Sequence, residues 1–317
     1  MTASTCFATE GLTKRFPRVT ALDALTVSAG TGVTGLVGAN GAGKSTLIKI
    51  LLGLAAPTAG RASVLGMDAI TQGPQIRRAV GYMPEHDCLP PDMSATEFVV
   101  HMARMSGLPR TAARERAADT LRHVGLQEER YRPIGGYSTG MRQRVKLAQA
   151  LVHDPKLIFL DEPTNGLDPQ GRDEMLALIR RIGTEFGISV LVTSHLLGEL
   201  ERVCDHVIVI DGGRLLRSSA IREFTRTTQA VAIEVEDGLE SLAERLGRMG
   251  EAVAVQGRLL TVQVPPDADP ARTFDAVRDA VCDLDLHLVR LEQRRGRIED
   301  VFKENTVKDP APKEPAV

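Results

Sequence analysis

The stretch VTGLVGANGAGKSTLIKILLGL, residues 33–54, restricts this chain more than any other. Its first five residues form an unbroken apolar run, the pattern of a strand buried in a parallel sheet. GANGAGKST (38–46) follows without a spacer, and KSTLIKILLGL (44–54) has helical apolar spacing. The motif G-x-x-x-x-G-K-[ST] falls on Gly38, Gly43, Lys44 and Ser45, between a strand and a helix as that motif requires. Glycines there let backbone N–H groups curl around phosphates, and the helix N-terminus adds partial positive charge. Lys44 would reach the β- and γ-phosphates and Ser45 would ligate Mg²⁺, with Asn40, Gly41 and Thr46 completing the nucleotide-binding set. A glycine-rich turn holding no ligand is the plainer alternative.

A second apolar strand, LIFL at 157–160, ends in Asp161 and Glu162. A carboxylate at that strand end suits Mg²⁺, directly or through water, and assigns Asp161 to the metal with Ser45. Glu162 is placed to act as general base on an attacking water. Both could instead be strand-end caps of a turn before Pro163. VLVT (190–193) leads through Ser194 to His195, where contact with a γ-phosphate is natural; alone, such a histidine would be structural.

The rest of the chain divides into two textures. Up to about residue 216, strands (VIVI at 207–210 among them) alternate with helices such as 143–152, and DGGRL (211–215) reads as a hairpin turn. Residues 92–130 are almost wholly helical in character, a lobe within a helical subdomain of about 86–150. From 217 to 307 the pattern predicts a smaller domain. A strand (230–236), a helix (239–249), two strands around Gly257-Arg258, a helix (271–281) and a strand (286–292) give βαββαβ, the ferredoxin-like order, before a last helix at 297–305. The Pro-rich, charged end, 308–317, is expected to be disordered.

Composition excludes several classes. The 317 residues carry a formal net charge of −2, so no broad basic field favours nucleic acid. Four cysteines, Cys6, Cys88, Cys204 and Cys282, are scattered without C-x-x-C pairs, which suits reduced thiols and not a disulfide framework or zinc site. Neither a membrane span nor a signal peptide is visible, so the expectation is a cytosolic protein that another chain brings to any membrane.

One stretch is left unexplained by a single nucleotide site: YSTGMRQR, 137–144, a small polar run opening an Arg- and Gln-rich helix. In order and spacing, GANGAGKST, STGMRQR, LIFLDEPTNGLDP and SH together resemble the ATP-binding subunit of an ABC transporter over residues 5–216. The branch resembled pairs with separate ABC-2-type membrane subunits, many of them exporters, and IEDVF (298–302) is similar to the close of its accessory domain. The implied fold is α/β, a P-loop ABC ATPase domain with a helical subdomain plus a small ferredoxin-like domain. The implied reaction is hydrolysis of ATP with Mg²⁺, by Glu162 and His195. The implied partners are a second copy, head to tail, and an integral membrane subunit, at the cytoplasmic face of the plasma membrane; nucleic acid is not expected.

The resemblance gives the unexplained stretch a role. Ser138, Thr139, Gly140 and Met141 stand at the signature position, usually Leu-Ser-Gly-Gly-Gln, which caps ATP held by the neighbouring subunit; a helix N-terminus suits that task. Phe16 stands where the family stacks an aromatic on adenine, and Asp168 in NGLDP where a loop reports across the dimer. Glu85 occupies a position that usually holds a Gln contacting Mg²⁺ and coupling to the membrane domain, so it joins Ser45 and Asp161 as a metal candidate. Three departures follow: Glu85 for Gln adds a carboxylate near the metal, Thr139 and Met141 replace a Gly and a Gln, and Tyr137 replaces Leu. Ser138 and Gly140 remain, so capping is expected to survive. The rival readings are a soluble ABC-type ATPase of translation or DNA repair, which would usually show paired domains or long coiled-coil insertions, and a P-loop kinase, which would leave 137–144 and His195 unused.

Overall fold

The computed structural model describes residues 5–224, 227–264 and 270–295. The chain forms two compact units, Met1–Ile221 and Arg222–Val317.

In the first unit three strands have every residue buried: β3 (Val33–Val37), β7 (Leu157–Asp161) and β8 (Ser189–Ser194). Continuous apolar runs of this kind need cover on both faces, and they occupy the centre of a six-stranded sheet ordered β10-β9-β3-β8-β7-β6. The flanking strands are β6 (Val80–Met83), β9 (His206–Asp211) and β10 (Arg214–Ala220). All neighbours are parallel except β10, which returns antiparallel on β9 through the expected turn. β10 thus carries the first unit past residue 216.

A second, antiparallel sheet was not apparent from the sequence. Its order is β2-β1-β4-β5, from β1 (Phe7–Phe16), β2 (Val19–Ala29), β4 (Ala59–Val64) and β5 (Met67–Asp68). Register shifts in β1 between Thr9 and Leu12, and again on either side of Lys14, break the two-residue alternation that would have marked it. Between the sheets lies α1 (Lys44–Leu51), whose Leu47, Ile48, Ile50 and Leu51 meet Phe7, Leu12 and Leu22 from one side and Phe159, Leu191 and Ile208 from the other in one core cluster. Leu36 and Phe159 are fully buried, and truncating either to Ala would cost about 3–5 kcal/mol.

The helical lobe follows α2 (Gly73–Ala79) and β6. It comprises α3 (Ala95–Met105) and α4 (Arg110–His123), both packed on α5 (Thr139–Leu151). Ser94 and Glu97 start α3 with a capping box: the Glu97 N–H donates to Ser94 Oγ at 3.2 Å and the Ser94 N–H to Glu97 Oε2 at 2.9 Å. Phe98, Val99 and Ala103 of α3 and Ala113, Ala117 and Leu121 of α4 are buried, so many of the lobe's apolar positions belong to its own core. Two further helices, α6 (Pro169–Thr184) and α7 (Leu197–Val203), follow β7 and β8. A single turn, α8 (Ile221–Phe224), runs from the last residue of the first unit into the second.

The second unit contains β11 (Thr227–Val235), α9 (Leu239–Arg248), β12 (Ala252–Gln256), β13 (Leu259–Gln263), α10 (Pro270–Asp283) and β14 (Leu288–Arg295). Its antiparallel sheet runs β12-β13-β11-β14, which with this βαββαβ order is the ferredoxin-like topology expected. Val231, Ile233, Leu260 and Val262 meet Leu242, Leu246 and Val277 in its core. The expected helix at 297–305 and the segment 308–317 lie outside the described residues.

Candidate functional site

Parallel strands deliver their carboxyl ends to one edge of the sheet, and ligands in such folds bind there. Register fixes which residues meet: Val37 pairs with Ser194, and Asp161 with Thr193. The loop at 38–46, the Asp161–Glu162 pair and His195 are therefore neighbours although 33 to 157 positions separate them in the chain.

Gly43 is the N-cap of α1, with φ 103°, in the left-handed region; a Cβ there would lie 2.4 Å from the Ala21 carbonyl oxygen. No side chain caps α1 and its first turn carries no acid, so its leading N–H groups are free to serve an anion. Lys44 is buried; its Nζ donates to the Gly38 carbonyl at 2.7 Å and stands 3.8 Å from Glu162 Oε1. The other Glu162 oxygen, Oε2, is 2.8 Å from His195 Nδ1. Glu162 also has positive φ, 50°, a conformation costing about 1–3 kcal/mol for a non-glycine residue. It is held there by Thr193, whose hydroxyl accepts the Glu162 N–H at 2.9 Å and donates to Asp161 Oδ1 at 2.8 Å.

These groups surround a cavity of about 410 Å³. Its wall includes Asn40, Gly41, Gly43, Lys44, Ser45 and Thr46 from the loop, and Glu85, Asp161, Glu162 and His195 opposite. Gly38 stands behind Lys44 as the acceptor of its ammonium. Phe16 is not on this wall: at the end of β1 it is 46 % exposed, with Lys14 Nζ 5.2 Å from its ring centre.

The signature residues line a different cavity, of about 520 Å³. Ser138 is the N-cap of α5 and accepts the Met141 N–H at 3.3 Å. Thr139, Gly140, Met141 and Asp168 share that wall with Arg144 and Glu174. Asp168 caps α6, accepting the Gly171 N–H at 2.8 Å. Tyr137, the replacement for Leu, is buried, and its hydroxyl donates to the Glu129 carbonyl.

Sequence reasoning missed the groups that tie these loops together. Lys146, on the buried face of α5, donates to the Glu85 carbonyl oxygen at 2.8 Å. Burial pulls its pKa down, against the opposing influence of Cys88, Asp87, Glu85 and Asp161. Gln143, on the same helix, donates to the Asn165 carbonyl at 3.1 Å, and Asn165 Nδ2 reaches Glu85 Oε1 at 3.5 Å. Tyr82 stands nearby with its pKa pushed up to about 12, chiefly by burial and then by the Asp161 charge. Only the polar residues at buried helical positions of QRVKLAQALV could have pointed to these ties.

Comparison with known proteins gives the family. A family model described as ABC transporter matches residues 23–165. The chain is 35 % identical over 271 residues to the uncharacterized ABC transporter ATP-binding protein YxlF of Bacillus subtilis, covering 84 % of this chain and 88 % of that one. It is 33 % identical to Nod factor export ATP-binding protein I of Ralstonia nicotianae, over 92 % of this chain and 91 % of that one. Among solved structures, the cbiO1 protein of Clostridium perfringens, part of the ABC transporter complex cbiONQ, superposes with a TM-score of 0.63 at 28 % identity, covering 69 % of this chain and 90 % of that one. A glycine-rich loop before a helix, facing strand-end carboxylates, and relatives spanning nearly the whole chain lead to one assignment: it belongs to the ATP-binding, ATP-hydrolysing proteins of ABC transporters, in the exporter-type branch.

Proposed function

We propose that two copies of this chain close head to tail on ATP and drive export through a separate ABC-2-type membrane subunit, and that hydrolysis resets the pair. The observation that carries this reading is the separation of the two cavities, which share no lining residue. A signature helix that does not line its own chain's phosphate-loop cavity can serve a neighbour's, and two-fold symmetry then makes both composite sites from one interface. Ser138 to Met141 present that helix end, with Asp168 beside it.

Within each site Phe16 stacks on adenine, the N–H groups of the 38–46 loop hold phosphate oxygens, and Lys44 turns from the Gly38 carbonyl to the β- and γ-phosphates. Ser45 and Asp161, with Glu85 near, are the hard oxygen donors that Mg²⁺ prefers. No group of three or more His, Cys, Asp or Glu among the described residues is arranged to hold a metal by itself, so this ion would rely on phosphate oxygens as well. When bound it would neutralise charge on the β- and γ-phosphates. Glu162 takes a proton from water, the water oxygen bonds to the γ-phosphorus, and the bond to the bridging oxygen breaks to leave ADP and phosphate. His195, bonded to Glu162 through Nδ1, keeps that carboxylate aimed and faces the γ-phosphate.

No helix among the described residues is long and apolar enough to cross a membrane, and the reading gives the translocation path to another chain at whose cytoplasmic face this one works. The multi-chain cbiONQ complex and the export named for the Ralstonia protein support that arrangement. The lobe at 86–136 is the proposed contact, through the loop carrying Glu85.

Glu162→Gln tests the scheme. Loss of the base should slow hydrolysis about 10²–10⁴-fold while ATP binding persists, so ATP-bound dimer accumulates and light scattering detects it. Pulled from detergent-solubilised membranes of its own cell with ATP, this variant should bring down a stoichiometric polytopic membrane protein. Ribosomes, nucleic acid or no membrane protein would favour the soluble-ATPase reading.

A further inference from the structure

Glu199, in α7, takes no part in the scheme above, yet it is about nine-tenths buried. Its Oε2 accepts two hydroxyl groups, Thr164 Oγ1 at 2.7 Å and Ser194 Oγ at 3.0 Å. Its Oε1 is buried with no hydrogen-bond partner. A carboxylate held this way adds little stability, since its desolvation is offset by only two hydroxyls. The arrangement makes more sense as a constraint on what it connects.

Both donors belong to the loops that carry the proposed reacting pair. Thr164 is two residues beyond Glu162, and Ser194 immediately precedes His195. Since His195 Nδ1 meets Glu162 Oε2 at 2.8 Å, the contacts close a ring. It runs from Glu162 along the chain to Thr164, through that hydroxyl to Glu199, on to Ser194, along the chain to His195, and back through the imidazole to Glu162. The Ser194 hydroxyl accepts the Leu196 N–H at 3.0 Å, and its single proton has a 3.5 Å contact with the Leu196 carbonyl as its alternative. The shorter bond to a carboxylate is the stronger. Thr164 and Ser194 are both almost wholly buried, so water does not compete for either hydroxyl.

We infer that Glu199 is a positioning residue for hydrolysis: it fixes the distance between the Glu162 loop and the His195 loop and so keeps the imidazole on the carboxylate. The inference rests on the reading of Glu162 and His195 as the reacting pair.

Steady-state phosphate release and ATP binding, measured on Glu199→Ala, Glu199→Gln, Thr164→Val and the Thr164→Val/Glu199→Ala double variant, test it. Opening the ring with Glu199→Ala should lower kcat about tenfold and leave the ATP KM within about twofold, the cost of a slightly misplaced reacting group. Thr164→Val, nearly isosteric, should lower kcat less. The double variant should be no slower than Glu199→Ala alone, because both substitutions open one ring. Glu199→Gln, whose amide oxygen can accept both hydroxyls, should recover most of the rate. Full kcat in Glu199→Ala, additive losses in the double variant, or parallel losses of kcat and ATP affinity that Gln does not rescue would each overturn the inference. Should Glu199→Ala fail to fold, Thr164→Val decides: reduced kcat at unchanged KM supports the ring, and an unchanged kcat refutes it. Glu162→Gln is assayed alongside, and wild-type hydrolysis by that variant would remove the underlying assignment whatever the Glu199 series gives.

Discussion

Two helices of this chain begin at cavities of similar size, and they begin differently. α1 starts at a glycine with no side-chain cap, a buried lysine in its first turn, and two strand-end carboxylates across the cavity. α5 starts at Ser138, whose hydroxyl already holds the Met141 N–H at 3.3 Å, a long and weak bond. Its cavity has no aspartate–glutamate pair at a strand end; Arg144 there is engaged by Glu174 at 2.6 Å and by the Val124 carbonyl at 2.6 Å. Under the proposed function the first does the chemistry and the second holds an anion. Under the proposed pairing each completes the other.

The largest effect expected at the holding site comes from Ser138→Arg, which fills the end of α5. Turnover should fall by at least about 10²-fold while each monomer still binds ATP, because the P-loop cavity is untouched. Titration with a fluorescent ATP analogue beside phosphate release measures both, and full hydrolysis would erase the distinction between the two cavities. A smaller effect is expected from Phe16→Ala, which tests how far the chemical site extends beyond its cavity wall. Loss of stacking on the base should raise the ATP KM about tenfold with kcat nearly unchanged. An unchanged KM would show that adenine lies elsewhere.

Smallest is a pH effect on the anchoring of α5. His153, just past its C-terminus, reaches the Val80 carbonyl at 3.2 Å, and burial holds its pKa below the ordinary value of 6.5. As pH falls through about 6.5 the unfolded chain takes up a proton before the folded one, so stability is lost on acidification and is fully present above that pH. His153→Gln should flatten the dependence of Tm between about pH 7.5 and about pH 5.5, leaving the ATPase rate at neutral pH unchanged. An identical slope in the variant would assign the loss to other groups.

The residues of the proposed site were easier to pick out of the sequence than the scaffold around them. Gly38 and Lys44 are legible because a phosphate-loop motif has fixed spacing, Asp161 and His195 because each follows an apolar run, and the fully buried strands β3, β7 and β8 announce themselves as such runs. β1 and β2 do not, because bulges interrupt their alternation. The second unit was legible almost element by element, its strands and amphipathic helices keeping simple periods. Thr193, Lys146 and Glu199 were invisible for another reason. Their meaning is a hydrogen bond to a residue 32 to 61 positions away, and no local pattern encodes such a partner.

Head-to-tail pairing is tested by mixing two inactive variants. Ser138→Arg keeps a working phosphate loop and Glu162 but cannot cap; Glu162→Gln keeps its cap but cannot hydrolyse. In a head-to-tail pair of the two, one composite site is wholly intact. Random pairing would then restore about a quarter of wild-type hydrolysis, since half the dimers are mixed and each has one working site. Recovery of activity on mixing is the predicted result. A mixture as inactive as its parts, with both variants folded and binding ATP, would contradict the account.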